Sequence, residues 1–349
     1  MKLYIFLICS NFFLGSLEIL KNYYKKKDFK IVQYFYITLF FIMIAFNRDN
    51  NDYRNYYSFF YYGKNELDIG YRYLNLFLKK IGLNFSCIFI IIAILAVYVI
   101  FYKYKLNYKI SFICMYSLYA LSYDINQLRN FICILLIILG IYYLNKGKKK
   151  QYLIFNFIAI FFHKIAFLYF LYYFLQKLSL KKYVLIIFFM FIGSFCGVFI
   201  FKEICYLLFP IKANLYFSLK PNLGAFLYFI LFFIDILFII LSLNMNKKSI
   251  YILKKNETYI KFILFIIPFL ITSFLNLELI SRLYRNIYFI KCFLFFKLIE
   301  NTENIKNRIM FYIMVNLPYI LLTVLTYIIS YEKDFQVLLQ ISNIKFIFE

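Results

Sequence analysis

Seven arginines stand out in a chain whose other basic residues are all lysines: Arg48, Arg54, Arg72, Arg129, Arg282, Arg285 and Arg308. With 48 Phe, 37 Tyr, no Trp and abundant Ile, Lys and Asn, the composition suggests AT-rich coding, in which Lys is the default cation. An Arg kept against that bias hints at a need for its planar fork. Guanidinium grips phosphate or carboxylate through two parallel hydrogen bonds, whereas ammonium acts as a point charge. Arg129 lies in Asn126-Gln127-Leu128-Arg129-Asn130, where amides and a cation open a helix. That combination suits an anion or sugar hydroxyls, or else hydrogen bonding between helices. Arg282 and Arg285 are three apart on one helical face, beside Tyr284 and Tyr288. Arg48, Arg54 and Arg72 share segment 47–72 with Asp49, Asp52, Glu66 and Asp68. The plainer alternative is local pairing. Arg48–Asp52, Asp68–Arg72 and Glu278–Arg282 all have four-residue spacing, worth ~0.2–0.5 kcal/mol on a helix. Taken together, the arginines favour an anionic ligand. Tyr53, Tyr56, Tyr57, Tyr61 and Tyr62 offer rings for sugars, or an interfacial aromatic belt.

The elements that must position these residues are helices in a membrane. Hydrophobic residues make up 64% of the 349 positions and charged residues 16%, against roughly 45–50% and about 25% in soluble domains. That excludes a water-soluble enzyme, a disordered chain and a disulfide scaffold. Seven scattered cysteines form no CxxC or Cys/His cluster and read as core filler. The net charge of +24 belongs to cytoplasmic loops rather than to nucleic acid. Apolar runs place spans near 3–20, 31–46, 85–102, 110–123, 127–145, 183–201, 223–243, 262–276, 286–299 and 309–330. The expectation is an all-α, polytopic membrane protein of about 10–13 spans. Residues 1–349 would form a single multi-spanning domain, with 47–72 as an external functional loop.

Lysine-rich loops fix the orientation. Those around Lys25, Lys105, Lys148, Lys181, Lys254 and Lys306 belong inside. Loop 47–72, the turn near 124–129 and residues 202–222 and 277–285 are then external, and with them six of the seven arginines. Residues 151–176 lie between two inside loops. One span would strand Lys177, Lys181 and Lys182 outside, and two full spans need ~40 residues. A broken-helix hairpin turning within the membrane resolves this, tolerated where protein or water covers its backbone. Its tip falls near His163, the only histidine.

Arg48…Asp52-Tyr53…Tyr56, Asp68-Ile69-Gly70-Tyr71, Gln127-Leu128-Arg129, Phe162-His163-Lys164 and Arg282-Leu283-Tyr284-Arg285, in that order, resemble the EpsG family of bacterial polysaccharide polymerases, which is related to Wzy-type O-antigen polymerases. The resemblance covers most of residues 30–300. It implies a glycosyltransferase in the bacterial cytoplasmic (inner) membrane, working on the external face. Donor and acceptor would be oligosaccharide repeat units linked to undecaprenyl pyrophosphate, with membrane lipid around them. A flippase and a chain-length regulator would be its partners. On this reading Arg129, Arg282 and Arg285 bind the diphosphate, with Arg48 and Gln127 as further substrate contacts. The base is Asp52 or His163. No cofactor is expected, and Asp49 with Asp52 is too thin a signal to assign a metal. A transporter or flippase is the other class, but it would carry charges from one membrane face to the other. A membrane acyltransferase would pair its histidine with a nearby carboxylate, which His163 lacks in sequence.

Overall fold

A computed structural model describes residues 2–24, 30–47, 52–63, 68–208, 223–244, 251, 254–274, 277–302 and 304–329. Among these residues the regular structure is helical, and the protein is an all-α membrane protein. Two helical segments, Ser86–Lys103 and Leu128–Asn145, are long and apolar enough to cross a bilayer, and Lys30–Ala45, Lys109–Leu121, Lys164–Leu175 and Tyr228–Leu241 are shorter apolar helices. The chain divides into two compact units, 1–170 with 302–349, and 171–301.

The first unit holds α1 (Lys2–Tyr23), α2 (Lys30–Ala45), α3 (Tyr53–Tyr62), α4 (Ile69–Lys80) and α5 (Ser86–Val97), which runs on as a π-helical turn to Lys103. It continues with α6 (Lys109–Asn126), α7 (Leu128–Asn145), α8 (Lys149–Phe162), a 3-10 turn Lys164–Phe167 and the start of α9 (Leu168–Leu175). The other helices of the chain are α10 (Leu180–Leu208), α11 (Leu223–Asn244), α12 (Glu257–Leu264), α13 (Leu277–Asn301) and α14 (Ile305–Ile329). Of these, α14 belongs to the first unit and packs on α1 and α6.

The apolar runs are helical because glycine and proline are scarce in them, and their charged ends set the stops; where Pro268 falls in run 262–276 the chain passes into a 3-10 segment. Within segment 47–72, residues 53–62 form α3 and residues 69–72 open α4. Tyr56 and Phe60 on α3, and Tyr71, Asn75 and Leu78 on α4, are buried at helical spacing. One face of each helix therefore rests on the bundle while the polar face stays out.

The hairpin at 151–176 is present. His163 adopts extended backbone (φ −158°, ψ 127°) and ends α8. The chain then returns along α8. Tyr152 OH donates to the Tyr169 carbonyl at 2.6 Å, and the Asn156 amide meets Ala166 O and Phe170 N at 3.2 and 3.3 Å. These bonds supply partners for backbone that the break leaves unpaired, as apolar surroundings require.

Glu18 ties three helices together. Its carboxylate accepts from the backbone N–H of Lys109 (2.9 Å), Ile110 (3.3 Å) and Ser111 (2.9 Å) at the start of α6, and from Gln33 Nε2 of α2 (2.6 Å). A buried anion there satisfies orphan donors and complements the helix dipole. Glu18→Ala should lower stability by ~1–3 kcal/mol, read as a lower thermal midpoint in detergent.

The second unit packs α10 against a 3-10 segment, Ile267–Phe274, which also meets α13. Lys261, seven residues after Lys254, is buried. Its ammonium caps the turn after α9 through the carbonyls of Gln176 (3.0 Å) and Leu178 (2.5 Å) and pairs with Glu257 at 2.6 Å.

Candidate functional site

In the first unit, four of the sequence segments converge on Arg129. The α6–α7 corner is a single non-helical residue, Gln127 (φ −104°, ψ 69°). Arg129 follows in the first turn of α7. Its Nη1 donates to Asp68 Oδ2 at 2.7 Å, and its guanidinium lies 6.0 Å from the Tyr56 ring centroid. Asp68 thus pairs with an arginine 61 residues away, while Arg72, one turn along α4, is exposed. Asp68 stands at the N-cap position of α4 but makes no side-chain cap bond.

Gly70 explains how Asp68 gets there. A Cβ at this position would lie 2.9 Å from Phe161 O and 3.0 Å from Phe161 Cβ. Only glycine lets the first turn of α4 rest directly on the last turn of α8. That contact holds the Asp68-Ile69-Gly70-Tyr71 segment beside the hairpin tip. Cys133, one turn after Arg129 on α7, touches the tip itself, with Sγ 3.9 Å from the His163 carbonyl.

His163 shapes the tip. Its Nδ1 accepts from the Ile165 N–H at 3.2 Å and caps the 3-10 turn. A ring nitrogen that accepts carries no proton, so the neutral imidazole bears its proton on Nε2 and acts there as a donor. Asp52 immediately precedes α3, and its carbonyl accepts from the Tyr56 N–H at 3.0 Å. Burial pushes the Tyr56 phenol above its ordinary range. The positive Arg129 opposes that shift, and the Asp52 carboxylate adds to it. Tyr56 therefore stays a neutral phenol across the physiological range.

Several buried polar atoms of the first unit have no hydrogen-bond partner among the described residues. They are both amide atoms of Asn75, Asn126 and Asn130, the Tyr71 hydroxyl and Arg129 Nε. Such orphan groups are uncommon in native interiors and call for an explanation. Asn126 and Asn130 flank Arg129 across the Gln127 corner. Gln127 itself is half-buried, and its carbonyl accepts from Phe131 N–H at 2.9 Å. Tyr53 stacks its ring on Phe89 at 5.8 Å, and Tyr57 lies tilted against Tyr61 at 4.5 Å. Arg48 and Asp49 lie outside the described residues, and Arg54 is exposed on α3.

In the second unit, Arg282 and Arg285 lie within α13, which begins at Leu277 rather than at the expected 286. Arg285 is only 1% exposed, and its Nε reaches the Ser281 carbonyl at 3.4 Å. Arg282 is half-buried. Sequence reasoning overlooked a buried ion pair here. Lys291 Nζ on α13 lies 3.0 Å from Asp235 Oδ2 on α11, and Tyr284 OH also donates to that oxygen. The signal was available: one acidic residue in apolar run 223–243, and in run 286–299 two lysines, of which Lys291 lies near the middle. Among the described residues, no three carboxylate, imidazole or thiol groups gather as a metal ion would need.

Comparison with curated proteins and with solved structures gave no match. The model of the EpsG family matches residues 30–340, a range that takes in every segment gathered around Arg129 as well as Arg282 and Arg285. The chain accordingly belongs to the EpsG family, a family of polysaccharide polymerase-like membrane proteins.

Proposed function

We propose that this protein polymerises lipid-linked oligosaccharide repeat units on the external face of the bacterial inner membrane. The donor unit is carried on undecaprenyl pyrophosphate. The observation that carries this reading is the Arg129–Asp68 pair seated on Tyr56, with the buried amides of Asn126 and Asn130 close to it in sequence. A cation with donors to spare suits a phosphate, and buried amides suit sugar hydroxyls. Family membership supports the reaction class.

In the reaction, an acceptor hydroxyl oxygen attacks the anomeric carbon of the donor sugar. The bond from that carbon to the phosphate oxygen breaks, and the lipid diphosphate leaves with the electron pair. The hydroxyl proton passes to a carboxylate. Diphosphate is already a good leaving group, so charge stabilisation matters more than protonation. We assign that task to Arg129 and, on residue type, to Arg282 and Arg285. We read His163, whose Nδ1 is engaged by the Ile165 N–H, as a hydrogen-bond donor to substrate oxygen, and Asp52 as the base. Gln127 and, on sequence alone, Arg48 are further substrate contacts. The lysine-rich loops support a topology of about 10–13 spans with the hairpin limbs counted. Under it, reporters fused at residues 147 and 180 read inside and one at residue 60 reads outside.

Deleting the gene and resolving the lipid-linked glycans tests the function. A polymerase loss leaves single repeat units displayed outside the cell. Single units trapped inside would identify a flippase instead, and long polymer in the mutant would end the proposal.

A further inference from the structure

The strongest feature outside the Arg129 site is the buried charge pair of the second unit. Asp235 is 1% exposed and Lys291 is 0% exposed in their side chains. Lys291 Nζ contacts both carboxylate oxygens, at 3.2 and 3.0 Å, and lies 3.9 Å from the Tyr288 ring centroid. Tyr284 OH donates to the same carboxylate, and the Tyr228 ring on α11 packs against the Tyr284 ring at 5.6 Å. The contacts form two stripes. Tyr284 and Lys291 are two turns apart on one face of α13, and Tyr228 and Asp235 are two turns apart on one face of α11.

We infer that Asp235 is a positioning residue, holding α13 through Tyr284 and Lys291 at the rotation in which Arg282 and Arg285 meet the substrate diphosphate. Stability alone does not account for the pair. Burying two charges costs more than burying two apolar side chains of the same size, and what an ion pair adds is registry. Apolar helices slide and turn against one another at little cost. Two handles converging on one carboxylate do not. Arg285 follows Tyr284 directly, so the anchor at Tyr284 fixes its azimuth. Both carboxylate oxygens of Asp235 contact Lys291 and one takes the Tyr284 hydroxyl, so it acts through these two side chains.

The inference rests on the reading that Arg282 and Arg285 bind diphosphate, and the test separates the two. The readout is the inhibition constant of inorganic pyrophosphate against polymer synthesis in isolated membranes. That constant does not depend on how much protein is active. Arg285→Lys and Arg282→Lys should each raise it at least ten-fold. The double variant Asp235→Leu with Lys291→Leu removes both charges together and should insert normally, yet raise the constant to a similar degree. Tyr284→Phe removes one handle and should raise it several-fold; it decides alone if the double variant makes no polymer. An unchanged constant in the double variant, with the arginine variants shifted, overturns the positioning role only. A constant that neither arginine variant moves, or a wild-type protein insensitive to pyrophosphate, removes the diphosphate reading and this inference with it.

Discussion

Arg129→Lys cuts polymer formation by ~10²–10³-fold while the protein accumulates in the membrane at its normal level. The resting contact with Asp68 runs through Nη1, at 2.7 Å. A lysine ammonium can make one such bond, so the ion pair and the packing around it survive. What lysine lacks is a second parallel donor for a phosphate and a flat face for the Tyr56 ring. Loss of one preorganised donor at a developing anion costs ~10²–10³ in rate in well-studied enzymes, and the same is expected here. The check is the ladder of lipid-linked glycans from membranes carrying the variant, normalised to protein by immunoblot. A wild-type ladder would reduce Arg129 to the structural partner of Asp68.

Gly70→Ala should act at one remove. The added methyl would lie 2.9 Å from the Phe161 carbonyl, and backbone on both sides leaves it little room to yield. The first turn of α4 must lift off α8, at ~1–3 kcal/mol. Asp68 moves with it, away from Arg129 and the hairpin tip. We expect at least a ten-fold loss of polymer with a lower thermal midpoint. A tight-packing role alone would lower the midpoint and leave the activity per folded molecule unchanged. Gly147, by contrast, has open space around it, and although its backbone (φ 73°) favours glycine, substitution there should leave polymer formation intact.

Much of the architecture was legible in the sequence because its determinants are local. Apolar runs set the helices, and lysine clusters marked where they stop. The hairpin followed from a charge argument over 151–176, and its turn falls at His163 as expected. The site was legible in parts. Asp68-Ile69-Gly70-Tyr71, Gln127-Leu128-Arg129 and Phe162-His163-Lys164 were recognised as separate motifs, but their convergence is a matter of tertiary packing. Four-residue spacing suggested Arg72 for Asp68, yet Arg129 won from 61 residues away. It did so because Gly70 lets α4 approach α8. The polar density of segment 47–72 hides a helical burial pattern at Tyr56, Phe60 and Tyr71. Asp235 and Lys291 were passed over although each interrupts an apolar run, a signal that intramembrane charge deserves on energetic grounds alone.

The corner at Gln127 limits how this protein can change. A longer connection between α6 and α7 would swing Asn126 away from Asn130, so lineages adapting to a new repeat unit have no slack there to lengthen. Their route to altered sugar preference runs through exchanging one amide for another side chain at a fixed place. Relatives that handle different glycans should therefore vary in residue type at this corner while keeping its length.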